Sequence, residues 1–266
     1  MANTSYPKGM EKLLSGQINA LSDTLKVALF TDAYTYSQTH EYLSQLGPLV
    51  GTDQTLTNVT VTGGVIDADD VDFGTLAPGS TVKGFAIYRS TGNPSTSPVL
   101  FHYDSQVGLP FDTNGGALTI PWDDAIRRIA RVAGPFYPKA AERLLQGMTN
   151  MATAPLKAVG IAAGYFKDPA HEFLVDVGAL LGAPQTLTSR SVNNGVFDAD
   201  DIDLGAIASG ASLGGIVIFE DSGDPATSRL VLKPSNIGGF PMTTNGSGVS
   251  VQWSNGAAKI VSLVPA

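Results

Sequence analysis

Two runs of carboxylates carry the strongest chemical suggestion in the chain. Asp67, Asp69, Asp70 and Asp72 lie close together, and Asp198, Asp200, Asp201 and Asp203 repeat their spacing. Hard oxygens in this density are what Ca²⁺ takes in sixes to eights. The EF-hand arrangement is not met, because no Glu follows at the bidentate position and the glycine precedes the acids. In an extended segment, Asp67 and Asp69 would share a face with Val71, while Asp70 and Asp72 would share the other. The acids are therefore expected to cap backbone N–H groups in a turn and to guard a strand edge. Calcium binding is the alternative.

His40-Glu41 and His171-Glu172 are a second recurring pair, half of a metal or acid–base site. The remaining histidine, His102, is matched by Lys233, and the chain has no cysteine. A zinc site draws about three or four ligands from His, Cys or carboxylate. A helix start with Glu in its first turn is the simpler expectation. No nucleophile elbow, phosphate-binding loop or dinucleotide fingerprint is present, so neither an enzyme nor a cofactor is expected. Paired carboxylates for glycoside hydrolysis, distant in sequence, stay open. Trp122 and Trp253 end alternating segments and are expected to pack between sheets rather than against sugars. Arg127, Arg128 and Arg131 face Ala258, Lys259 and Ser262 in the repeat. They could meet an acidic partner or form a junction between repeats.

The elements that position these residues are themselves duplicated. Tyr6-Pro7-Lys8 returns as Tyr137-Pro138-Lys139, and Thr113-Asn114-Gly115 returns as Thr244-Asn245-Gly246, at one spacing (137 − 6 = 131). About a third of the paired positions are identical without a gap. Solenoid periods are far shorter, roughly 20–50 residues, so each copy is a domain-sized unit. Each opens with a proline suited to a first helical turn. Ala141, Leu144, Leu145 and Met148 then fall on one face at helical spacing, and Gly16 and Gly147 stand where the helix could stop.

A second short helix is expected at 40–46. Strands are expected at 25–30, 54–61, 82–88, 99–103 and 118–122, with Val249–Trp253 alternating most cleanly after an Asn-Gly turn. The chain should thus be mainly β: two tandem β-sandwiches, immunoglobulin-like or jelly-roll-like, over 1–132 and 136–266. The linker Val132-Ala133-Gly134-Pro135 is too short for free tumbling.

Composition narrows the partners. The net charge of −8 is spread over both repeats and would repel phosphate backbones, so nucleic acid is not an expected partner. No stretch approaches the roughly 20 apolar residues of a membrane span, and no export signal is expected. The absence of cysteine leaves the compartment open. Only 15% of residues are charged, which suits turns, strands and extensive contacts with other subunits.

These signatures resemble a family of small structural proteins of tailed-bacteriophage virions. The shared features are Tyr-Pro-Lys with Leu-Leu-Ser-Gly near the start, His-Glu-Tyr/Phe-Leu, and Gly-Val-Ile/Phe-Asp-Ala-Asp-Asp. Trp253-Ser254-Asn255-Gly256-Ala257-Ala258-Lys259-Ile260 is similar to the family ending, and the first copy departs from it after Trp122. The resemblance implies a virion location and a non-enzymatic role as a capsid decoration, or cement, protein. Its partners would be the major capsid protein and neighbouring copies of itself. A tail or neck component, and a carbohydrate-binding or adhesin module using the tryptophans and acidic runs, are the alternatives.

Overall fold

The computed structural model describes residues 3–122, 129–235 and 237–264, which form a mainly β fold of antiparallel sheets with two short α-helices. The first half runs β1 (Thr4–Ser5), α1 (Pro7–Leu14), β2 (Leu25–Thr31), β3 (Leu49–Thr55), β4 (Thr60–Thr62), β5 (Val65–Asp67) and β6 (Val71–Thr75). It continues with β7 (Thr81–Arg89), β8 (Val99–Tyr103), β9 (Phe111–Asp112), β10 (Ala117–Ile120) and β11 (Ala130–Arg131). The second half repeats the order: α2 (Pro138–Leu145), β12 (Leu156–Ala162), β13 (Leu180–Thr186), β14 (Ser191–Asn193), β15 (Val196–Asp198) and β16 (Ile202–Ala206). It closes with β17 (Ser212–Glu220), β18 (Arg229–Leu232), β19 (Met242–Thr243), β20 (Gly248–Val251) and β21 (Val261–Ser262).

In each half the largest sheet is centred on one hairpin-like pair, β2 with β7 or β12 with β17. The first orders its strands β1-β8-β7-β2-β3, with β9 also on β7. The second is ordered β13-β12-β17-β18, with β19 on β17, and Phe136 bridges to Leu232 where β1 would lie. Central strands this apolar are buried on both faces. Val27 and Leu29 point into the main core, while Ala28 and Phe30 face a second cluster around Tyr6, Tyr34 and Leu46. The main core runs unbroken from Leu29 and Phe85 of one half to Leu156 and Phe219 of the other.

Several sequence expectations shift in detail. The strand expected over 54–61 is two strands, because Leu56 N–H turns to Leu25 O and Asn58 adopts φ 50°. The strand expected over 118–122 ends at Ile120, since Trp122 N–H leaves the ladder for Asp70. The helix expected over 40–46 shrinks to a 3₁₀ turn at Leu43–Leu46. The backbone of this segment pairs across instead, with Leu43 N–H donating to Ser97 O and Glu41 O accepting from Val99 N–H. Met148, expected on the apolar face of α2, lies beyond the helix end and is 58% exposed. Arg127 and Arg128 lie outside the described residues; Arg131 sits in β11.

The two halves embrace reciprocally. α1 packs on β14 and β15 as well as on its own β8, and α2 packs on β4 as well as on its own β18. Glu11 Oε2 accepts from Asn194 N–H at 2.8 Å, and its counterpart Glu142 Oε2 accepts from Gly63 N–H at 3.1 Å. Ala20 N–H donates to Leu145 O and Met151 N–H to Leu14 O, both at 2.8 Å. Gly195 and Gly64 sit where the opposite helix crosses. A Cβ there would lie 2.6 Å from Met10 Cβ and from Ala141 Cβ, so only glycine fits at either position.

Candidate functional site

The acidic runs are spent locally. Asp69 Oδ2 accepts from Thr57 Oγ1 at 3.0 Å and Asn58 Nδ2 at 2.6 Å, Asp70 Oδ1 from Trp122 N–H at 2.9 Å, and Asp72 Oδ1 from Gly74 N–H at 2.8 Å. In the second half, Asp200 takes Thr188, Asp201 takes Trp253 N–H and Asp203 takes Gly205 N–H. Asp198 pairs with Lys259 at 3.4 Å, and Asp67 ends β5 opposite Thr60. Among the described residues no three His, Asp or Glu side chains converge on a point that could hold a metal ion. Both indoles are likewise committed. Trp122 Nε1 donates to Asp69 O and Trp253 Nε1 to Asp200 O, and the two residues are only 8% and 5% exposed.

The His–Glu pairs separate. Glu41 reaches Lys12 at 3.0 Å and Glu172 reaches Arg229, whereas each histidine turns inward to a tyrosine. The result in each half is a short chain of phenol hydroxyls that ends on a histidine. Tyr6 Oη lies 2.9 Å from Tyr34 Oη, which lies 3.0 Å from His40 Nδ1. The second half repeats it, with Tyr137 Oη 2.8 Å from Tyr165 Oη and Tyr165 Oη 2.9 Å from His171 Nδ1. Burial holds the phenols in their neutral form, pushing Tyr34 up to about 12 and Tyr6 and Tyr137 further still.

The halves diverge behind this shared chain. In the first, His102 is 1% exposed and is boxed by Phe30, Tyr34, Tyr36 and Tyr6, with Phe30 stacked at 5.0 Å. Its Nδ1 lies 3.3 Å from Tyr6 Oη, and Nε2 lies 3.3 Å from Asp104 Oδ2, too far off axis for a full hydrogen bond. Burial lowers its pKa, and Asp104 offsets part of that. In the second half Lys233 replaces His102 and Lys167 replaces Tyr36. Lys167 Nζ sits 5.1 Å over the Tyr137 ring and donates to the carbonyls of Gly134, Pro135 and Phe136, tying down the linker. A buried chain of this kind orders a core and presents no substrate-sized space.

Open space lies elsewhere. A cavity of about 280 Å³ opens among Leu29, Phe85, Val107, Leu118 and Trp122. A shallower counterpart of about 380 Å³ is lined by Ile237, Phe240, Met242, Val249 and Val251. Among the described residues no titratable side chain lines either one, and their walls are mainly apolar. No helix among the described residues is long and apolar enough to cross a membrane.

No protein-family model, curated protein or solved structure matches the chain. The tyrosine chain was not anticipated from sequence. Its signal was present, however, since Tyr34 recurs as Tyr165 and Tyr6 as Tyr137 at the spacing of the repeat.

Proposed function

We propose that the chain is a tandem pair of β-sandwich repeats acting as a non-enzymatic structural protein of a phage virion, decorating and stabilising the major capsid shell. The observation that carries this reading is the reciprocal clasp between the halves. It makes a single stiff body that offers two equivalent surfaces, which is what a cement between neighbouring subunits requires. The chemistry-bearing side chains support the same reading, because the paired Asp runs, both indoles, and His40 and His171 are engaged in contacts that hold loops and cores together. Two linked contacts raise avidity by about 10²–10⁴ over either alone when the geometry allows both.

Co-sedimentation of purified protein with undecorated shells tests this. Saturable recovery in the pellet is expected. A protein that stays in the supernatant at every concentration removes the shell as its partner. Labelled antibody on intact particles then separates head from tail.

A further inference from the structure

His102 and His40 stand at the two ends of one hydrogen-bond chain. His102 Nδ1 lies 3.3 Å from Tyr6 Oη, Tyr6 Oη lies 2.9 Å from Tyr34 Oη, and Tyr34 Oη lies 3.0 Å from His40 Nδ1. Tyr6, Tyr34 and His102 are buried, while His40 is half-buried, so solvent reaches the chain at the His40 end.

Counting hydrogens fixes what this chain can hold. Its three gaps need three hydrogens, and the two phenols supply one each. One and only one of the two Nδ1 atoms must therefore carry the third. Asp104 Oδ2 lies 3.3 Å from Nε2, the other ring nitrogen of His102, and its negative charge draws the hydrogen of the neutral ring to that side. The resting chain thus starts at His40 Nδ1–H, which donates to Tyr34; Tyr34 donates to Tyr6, and Tyr6 to His102 Nδ1. Charging His40 adds a hydrogen at its Nε2 and leaves this order intact. Charging His102 puts a hydrogen on its Nδ1, turns both phenols round and requires a bare His40 Nδ1. With both rings charged, four hydrogens crowd three gaps and one phenol loses its acceptor. Among the described residues, the contacts of the two hydroxyls supply no other acceptor.

Other charges bear on the two rings without entering the chain. Lys83 of β7 and the amino terminus oppose a positive His102, and Asp104 favours it. Tyr36, packed on His102, gives its hydroxyl hydrogen to Ser5 O. Next to His40, Glu41 is held by Lys12 at 3.0 Å, with Lys8 also near. The second half has the phenols and one histidine, but Lys233 stands where His102 would close the chain.

We propose that His40 and His102 form one shared proton site, a pH-sensitive switch in which charge on either ring excludes it from the other and sets the direction of the Tyr6–Tyr34 pair. Its bistable element is Tyr6, the N-cap of α1, and α1 is the helix that packs on β14 and β15 of the second half.

NMR of the histidine side-chain nitrogens in the full chain, from about pH 8 to 4, tests this. At the basic end His40 is expected as the Nδ1–H tautomer and His102 as the Nε2–H tautomer. On acidification His40 should charge first. In His40→Gln, whose amide can accept as well as donate, His102 should take its proton about 1–2 pH units higher than in the wild type, the size expected from one buried donor left without a partner. In a Tyr34→Phe background, where the chain is cut, His40→Gln should no longer move His102. The signal of His171 should stay unchanged in every variant. The Nε2–H tautomer on both neutral rings of the wild type overturns the chain without any substitution. An unmoved His102 in folded His40→Gln overturns the exclusion. A shift that survives in the Tyr34→Phe background assigns it to plain charge repulsion and overturns the shared site.

Discussion

His102 has a proton balance that can be followed in solution. Burial in its aromatic box lowers its pKa in the folded chain from the ordinary 6.5, with Asp104 and Lys83 the charged groups nearby. On acidification below about 6.5 the unfolded chain takes up this proton before the folded one does, so stability falls as pH drops through that range. The slope from one such group is at most about 1.4 kcal/mol per pH unit. His40 is shifted the same way, again by burial, and adds to it. Denaturant melts between pH 7 and 5 should show the loss, and His102→Gln should flatten it; an unchanged slope in that variant would remove His102 as the source. At Trp122, replacement by Phe keeps an aromatic ring, though a smaller one, and leaves Asp69 O without its donor. A cost of about 1–3 kcal/mol is expected from the unmade bond, read as a shift in urea midpoint at constant slope.

The helix that opens each half was the most legible element. Proline at the first turn and apolar residues at helical spacing put α1 and α2 where they lie. What the periodicity could not show is that each helix is covered by the opposite half. Leu14 and Leu145 are fully buried at this contact, so Leu14→Ala and Leu145→Ala should each cost about 2–5 kcal/mol, measured by equilibrium unfolding. Strands read as largely apolar runs, such as β7 and β8, fell within a residue or two of expectation. Segments ruled by side-chain capping did not. Gln45 Oε1 takes the N–H groups of Glu41 and Tyr42, and Asp176 Oδ2 takes those of Glu172 and Phe173, which turns an expected helix into a single 3₁₀ turn. Such local hydrogen bonds leave no periodic trace in a sequence.

Duplication was readable at once from the constant spacing, yet the spacing carried no information on how the copies meet. The unbroken core and the crossed helices tie the two halves together energetically. Calorimetry of the whole chain should therefore give one cooperative transition, with calorimetric and van't Hoff enthalpies in agreement. Two resolved transitions would show that the halves melt separately. The short linker, held by Lys167, has a further effect. Two separate chains with this clasp would fall apart on dilution, and any substitution would appear on both sides of their axis. Joined in one chain, the halves stay paired at any concentration, and each side is free to differ. The histidine on one side and the lysines on the other are such a difference, which a dimer of identical chains cannot have.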